Sequence, residues 1–310
     1  MQLFRGRTNH IWHLAISPDG SKLVAGGSPI HVWDLNDSKS KPQIMSVGER
    51  GSWGHEFQFL SATQLFVKTS QPDRWYRCDI ATAEVIELAP NQEEIKGDAC
   101  VHLPSELLKG VVGGSFPRLP RVVTYWIGPD GLAIREAATQ GPSVRRVMGF
   151  TPCGSRYIAE IINDDGITVS HHLLDTISDA KIVTFAPATI GTYWNLNGWC
   201  FSPDSRYHFV ISGRKLLCYS CASGGQPSDE VGIPKRIVEV HASMAMHPDG
   251  RMLATVEDGR AVTFRDADTL DLLRTYDFAM PTVTCVAFTP DGTRCVIGNS
   301  RGKVLLFDVE

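Results

Sequence analysis

A turn-bearing segment recurs along this chain at nearly constant intervals, and no other feature limits its fold as much. Five copies read ISPDGSKLVAGG from Ile16, FTPCGSRYIAEI from Phe150, FSPDSRYHFVIS from Phe201, MHPDGRMLATVE from Met246 and FTPDGTRCVIGN from Phe288. Two looser copies, FLSATQLFVKTS from Phe59 and VHLPSELLKGVV from Val101, lie between the first and second of these. Successive anchors are 43, 42, 49, 51, 45 and 42 residues apart, so seven units account for the 310 residues. Units of this length bury their apolar faces by stacking on their neighbours.

Each unit reads as four short strands. In Pro-Asp-Gly, Pro presets its own φ, Asp bonds the backbone ahead of it and Gly accepts a positive φ, which makes a tight turn. The first unit predicts strands at His10–Ile16, Lys22–Ala25, His31–Leu35 and Gln43–Val47. Third strands are expected at Ala261–Phe264 and Lys303–Phe307. Fourth strands are expected at Glu84–Leu88, Leu132–Glu136, Lys181–Phe185, Arg236–Val240 and Asp271–Tyr276. These runs are rich in β-branched and aromatic residues and are bounded by Gly, Pro, Asp and Ser. No stretch has the period of an amphipathic helix. The seventh unit ends after its third strand, whereas Gln2–Arg5 precedes the first strand of the first unit. The expected fold is therefore an all-β, seven-bladed β-propeller of four-stranded antiparallel blades, one domain over residues 1–310. The N-terminal strand closes the ring, which leaves only short sheet edges.

Here the residues resemble a known family. Gly6–Leu35, GRTNHIWHLAISPDGSKLVAGGSPIHVWDL, is similar to a WD repeat, with the SPDG turn and Trp33-Asp34 where that family has them. The resemblance implies a ring whose one face receives peptide ligands over a central channel. It also implies that the residue after the first apolar position of each innermost strand points at the partner. Those positions are Trp12, His55, Gly97, Arg146, Asn197, Ala242 and Thr284.

Composition narrows the function classes. Thirty Lys and Arg against 34 Asp and Glu leave no basic excess for nucleic acid or a membrane surface. No apolar run reaches the roughly 18 residues of a membrane span, and the N-terminus does not read as a signal peptide, so a cytoplasmic protein is expected. Eight cysteines are too few for a disulfide scaffold, and Cys218-x-x-Cys221 stands alone without a second pair. Free thiols and no cofactor are expected. No nucleophile elbow, phosphate-cradling loop or H-E-x-x-H motif is read. The recurring Asp19, Asp204, Asp249 and Asp291 read as turn caps. His171 and His172, adjacent on a strand, point to opposite faces and cannot share one ion.

The favoured reading is a non-catalytic, monomeric scaffold that binds a protein or peptide. The longest intervals place extra residues on one face, at Gly113–Arg121 and Ala188–Asn195, with the loop Gln140–Arg146 between them. Phe116, Arg118, Arg121, Arg145, Arg146, Tyr193 and Trp194 are thereby expected on adjacent blades, and these residue types suit an acidic partner with apolar anchors. The alternative is a lactonase-like, metal-dependent hydrolase with Glu56, Asp98 and Asn197 in the channel, since a hard cation needs several convergent oxygens.

Overall fold

The Pro-Asp-Gly turns are built by one repeated hydrogen-bond module. The Ser17, Ser202 and Thr289 hydroxyls each donate to the carboxylate two residues on, at Asp19, Asp204 and Asp291, all at 2.6 Å. Each carboxylate accepts the N–H a further two residues along, from Ser21, Arg206 and Thr293, at 3.0–3.1 Å. The same hydroxyls accept the N–H of Lys22, Tyr207 and Arg294 at 2.8–3.0 Å, where the next strand begins. The hydroxyl bonds, chief among the causes, hold these three carboxyls below their ordinary range. Their contribution to stability is thus present above the ordinary carboxylate pKa and fades as pH falls through the lowered values. In the sixth unit His247 replaces the hydroxyl residue. Its Nδ1 lies 2.6 Å from Asp249 Oδ1, and its Nε2–H reaches 3.0 Å to the carbonyl of Gly292 in the next unit's turn.

In the computed structural model, the described residues are 1–5, 10–11, 13–26, 29–37, 41–48, 53–59, 61–70, 74–88, 109–112, 122–128, 131–137, 144–151, 155–162, 168–175, 180–185, 188–189, 199–212, 215–221, 229–232, 243–256, 259–279 and 282–309. Their strands form seven small antiparallel sheets. Strand β1 (Gln2–Arg5) is taken up with the last sheet below. The first sheet holds β2 (Leu14–Ile16), β3 (Lys22–Ala25), β4 (Ile30–Asp34) and β5 (Gln43–Met45). The second holds β6 (Trp53–Phe59), β7 (Gln64–Ser70), β8 (Arg74–Asp79) and β9 (Glu84–Leu88). In the third, the described strands are β10 (Lys109–Val112), β11 (Val122–Gly128) and β12 (Gly131–Ala137). The fourth has β13 (Val144–Phe150), β14 (Arg156–Ile162), β15 (Thr168–Asp175), β16 (Lys181–Thr184) and β17 (Ala188–Thr189).

The fifth sheet holds β18 (Trp199–Phe201), β19 (Tyr207–Ser212), β20 (Lys215–Ser220) and β21 (Asp229–Gly232). The sixth holds β22 (Ser243–Met246), β23 (Met252–Val256), β24 (Ala261–Asp266) and β25 (Leu272–Asp277). The last holds β26 (Val283–Phe288), β27 (Arg294–Asn299) and β28 (Lys303–Asp308), with β1 as its outermost strand. Leu3 pairs with Leu305 and Phe4 with Val304 in that register. The N-terminal strand therefore completes the last sheet, as its sequence position predicts. There is no helix among the described residues, and so none long and apolar enough to cross a membrane.

Two expectations about strands are corrected. The strand predicted at His10–Ile16 starts at Leu14, because the Ile11 N–H is drawn to the Asn299 carbonyl of the last sheet at 3.2 Å. Beside β20 the fourth strand is Asp229–Gly232; the predicted Arg236–Val240 lies outside the described residues.

Both faces of most sheets are covered, so the two-residue alternation of each strand is shared between two seams. In β3, Leu23 and Ala25 pack toward the last sheet, and Val24 toward the second. Likewise Trp33 of β4 joins Phe4, Val296, Val304 and Leu306, while its neighbour Val32 joins Phe57, Leu65 and Tyr76. Phe209 and Ile211 of β19 meet Met244 and Leu253 of the sixth sheet, and Val210 meets Ile158 and Leu173 of the fourth. Innermost strands β6, β2, β26, β22 and β18 touch in that order, and β10 touches β13.

Three predictions rest on these packing and turn details. Phe4 is 4 % exposed with its ring 5.9 Å from that of Trp33, so Phe4→Ala should cost about 3 kcal/mol in urea unfolding. Ser205 stands where three sibling turns have glycine at φ 71–77, and holds φ 62 itself. Ser205→Gly should therefore raise stability by about 1 kcal/mol. By contrast, Gly292→Ala should cost about 2 kcal/mol by thermal unfolding, since a Cβ there would sit 2.3 Å from His247 Nε2.

Candidate functional site

The described members of the partner-facing positions expected from the repeat, His55, Arg146 and Thr284, fall where innermost strands begin, and those three strands begin with a β-bulge. In β6, Gly54 pairs with Thr69 and Glu56 with Lys68, which leaves His55 as the extra residue. In β26, Val283 pairs with Asn299 and Cys285 with Gly298, which leaves Thr284. In β13, Val144 pairs with Ile161 and Arg146 with Glu160, which leaves Arg145. A bulge inserts one residue, bends the strand and re-aims what it carries. The fourth sheet's equivalent of His55 and Thr284 is thus Arg145 rather than Arg146, a correction of one residue. Arg145 and Arg146 also belong to strand β13, not to the loop in which they were expected. A one-residue insertion of this kind has no sequence signal of its own, because it is defined only against the partner strand.

Thr284 is corrected more strongly. It is 1 % exposed, and its hydroxyl serves the seam between the last and first sheets: Oγ1 lies 2.5 Å from the Ile11 carbonyl and 3.2 Å from that of Gly298. Ile11 is fully buried, and its Cγ2 would lie 2.8 Å from a Cβ on Gly298, so glycine is what lets the two sheets approach. Thr284 is therefore a staple between sheets and is not offered to a partner. Thr284→Val keeps the shape and leaves the Ile11 carbonyl only the weak Cys285 thiol at 3.9 Å, so chemical denaturation should show a loss of about 1–3 kcal/mol.

Ala188 and Thr189, expected at the head of a long loop, form β17 and pair with Val169 and Thr168 along β15. Trp12, Gly97, Phe116, Arg118, Arg121, Tyr193, Trp194, Asn197 and Ala242 lie outside the described residues, as does Asp98. His55, Glu56, Arg145 and Arg146 are placed by their backbones.

Other candidates were judged by their surroundings. Gly298-Asn299-Ser300-Arg301-Gly302 has the G-x-S-x-G spacing of a nucleophile elbow, contrary to the reading that no elbow stands in the chain. It joins β27 to β28 as a hairpin, with Asn299 Oδ1 accepting the Arg301 and Lys303 N–H groups at 3.0 and 2.9 Å. The elbow needs a helix after the turn, and a strand follows here. No three His, Cys, Asp or Glu side chains converge on a metal position among the described residues. The six described cysteines are free, and burial pushes the Cys78, Cys221 and Cys285 thiols up to about 12. A cleft of about 360 Å³ opens between the first and second sheets, lined by Trp33, Ile80, Gln43, Lys41 and the ion pair of Lys22 with Asp34 at 2.7 Å.

The two ends of the chain match a known repeat. The model for the WD domain, G-beta repeat matches residues 1–34 and 271–308. Both segments are similar to WD repeats. Each matched segment spans four strands that straddle two sheets: β1 with β2–β4, and β25 with β26–β28. A WD repeat in sequence is thus the outermost strand of one sheet followed by three strands of the next. WD repeats generally mediate protein–protein interaction and are generally non-catalytic. No curated protein matches the chain.

The surface carries one feature that the sequence reading missed. All six exposed large hydrophobic residues among the described ones lie on or beside outermost strands: Met1 and Leu3 at β1, Ile44 on β5, Ile182 on β16, and Leu272 and Leu273 on β25. The adjacent Leu272-Leu273 pair, which breaks the alternation of a half-buried strand, was the available signal.

Proposed function

We propose that the chain is a closed seven-bladed propeller acting as a non-catalytic platform for a protein or peptide. The observation that carries this reading is the straddling of the WD repeat across two sheets. If every unit lends its outermost strand to the preceding sheet, the first unit must lend β1 to the last, and β1 pairs with β28. Seven sheets among the described residues and seams that run from sheet to sheet support the same reading.

The proposed site is one face of the ring, formed by Phe116, Arg118 and Arg121, then Arg145 and Arg146, then Tyr193, Trp194 and Asn197, with Trp12 and His55 at the channel. Its support is the residue chemistry: guanidinium groups pair carboxylates bidentately, and aromatic rings anchor apolar side chains. An acidic peptide is the partner this suits, recognised by a monomer without cofactor. The six free thiols fit a reducing compartment such as the cytoplasm.

The test separates loops from strand. The loop triple variant Arg118→Ala, Arg121→Ala, Trp194→Ala should keep the parent's melting temperature and lose at least tenfold in affinity for partners captured from the native cell. Arg145→Ala with Arg146→Ala tests the strand β13 positions separately by the same titration. Unchanged binding in both variants overturns this face as the site.

A further inference from the structure

The seam between the fourth and fifth sheets contains a histidine that it does not need for any bond. His208 of β19 is fully buried, in register with Phe201 on one side and Tyr219 on the other. Four aromatic rings enclose it: Phe201 at 5.0 Å, Phe185 at 5.4 Å, Trp199 at 6.1 Å and Tyr219 at 6.4 Å between centroids. Neither Nδ1 nor Nε2 has a hydrogen-bond partner. Phe185 belongs to the fourth sheet's side of the seam, and the other three rings to the fifth.

The described side chains that face this ring are few. From the fourth sheet comes His171, itself 5 % exposed; from β20 comes Tyr219; from β18 only a weak contact with the Cys200 backbone. None of these described side chains is a carboxylate; on β14, Glu160 stands opposite His171 in register. An imidazolium formed here would have no carboxylate beside it among the described side chains and only the Cys200 backbone to receive one of its two N–H groups, and a charged His171 would repel it. The π faces of the box attract a cation, but they do not replace the second acceptor, so the balance favours water.

We propose that this seam is an acid-sensitive joint: protonation of His208 drives its ring out of the aromatic box and parts the fourth and fifth sheets while the remaining seams stay closed. Burial, reinforced by His171, pulls the pKa of His208 from 6.5 to about 3. With the folded value below the free one, the closed seam has its full stability above about pH 6.5. It loses that stability as pH falls toward 3, at about tenfold in the opening constant per pH unit for one proton. Two other described histidines differ in having oxygen partners: fully buried His31 of β4 has the Pro29 carbonyl 3.1 Å from its Nδ1, and His247, at the turns of the sixth and seventh units, has an oxygen atom beside each ring nitrogen.

Hydrogen exchange read by mass spectrometry between pH 7 and 4, corrected for intrinsic rates, tests the joint on the intact chain. Peptides from β14, β15, β19 and β20 should open about tenfold more per pH unit below pH 6, while β23, β24 and β27 keep their protection. His208→Phe, which fills the box without a titrating group, should abolish that slope, and His208→Leu should do the same if the larger ring folds poorly. The ring-proton resonance of His208 in the parent gives a reading that needs no variant. Titration of that resonance in the folded protein near pH 6.5, an unchanged slope in a folded variant, or simultaneous loss of protection in all sheets would each overturn the proposal.

Discussion

The structure depends on the burial of both faces of a thin sheet. A four-stranded sheet of this size has little interior of its own, so its apolar side chains gain only what neighbouring sheets cover. Alternation along a strand then sends successive residues to different seams, as Leu23, Val24 and Ala25 do in β3. Each large buried side chain contributes about 1.5–3 kcal/mol, and the largest (Trp33, Phe185, Phe209 and Phe264) lie at seams rather than within one sheet. Stability is therefore held between units, and a unit removed from the row would expose two faces at once.

This dependence explains why the ends of the chain must meet. The two matched repeats begin one strand before the sheet they mainly build. Such an offset staples every sheet to its predecessor covalently, and it leaves the last sheet one strand short until β1 arrives. Phe4 then does for the last seam what a fourth strand does elsewhere, by packing on Trp33 of the first sheet. Between the first two strands of the first, fifth and last sheets, the Ser/Thr-Pro-Asp turns fix the chain direction with three bonds apiece, so the register of those hairpins is set locally.

Much of this was legible in residue order because the signals are local. Pro-Asp-Gly marks a turn by the chemistry of three side chains, and the pairing of Gln2–Arg5 with the last sheet followed from the unit offset alone. Features set by a partner strand were not legible. The late start of β2 comes from the pull of Asn299 on Ile11, and the bulges at His55, Arg145 and Thr284 exist only relative to the strands opposite. Ile11, Thr284 and Gly298 lie far apart in sequence, and nothing in any one of them announces the other two. The G-x-S-x-G spacing at Gly298–Gly302 shows the reverse case, where a local pattern is present and its context, strand into strand, removes the chemistry.

The fate of Thr284 bears on how such a ring could carry specificity. A position at the mouth of an innermost strand can face a partner or bind the neighbouring sheet, and a single hydroxyl spent on the Ile11 carbonyl cannot do both. Where the seam takes the residue, variation there is limited by stability, since a stranded buried carbonyl is costly. Variation aimed at a partner then has to concentrate in the loops, whose exchange leaves the seams intact. The long intervals between the third, fourth and fifth anchors, 49 and 51 residues against 42–45 elsewhere, lie in the part of the chain farthest in sequence from the Thr284 staple. The two ends of the chain thus hold the first and last sheets together, through β1 on β28, Phe4 on Trp33 and Thr284 on Ile11, and exchange in the middle leaves those bonds untouched.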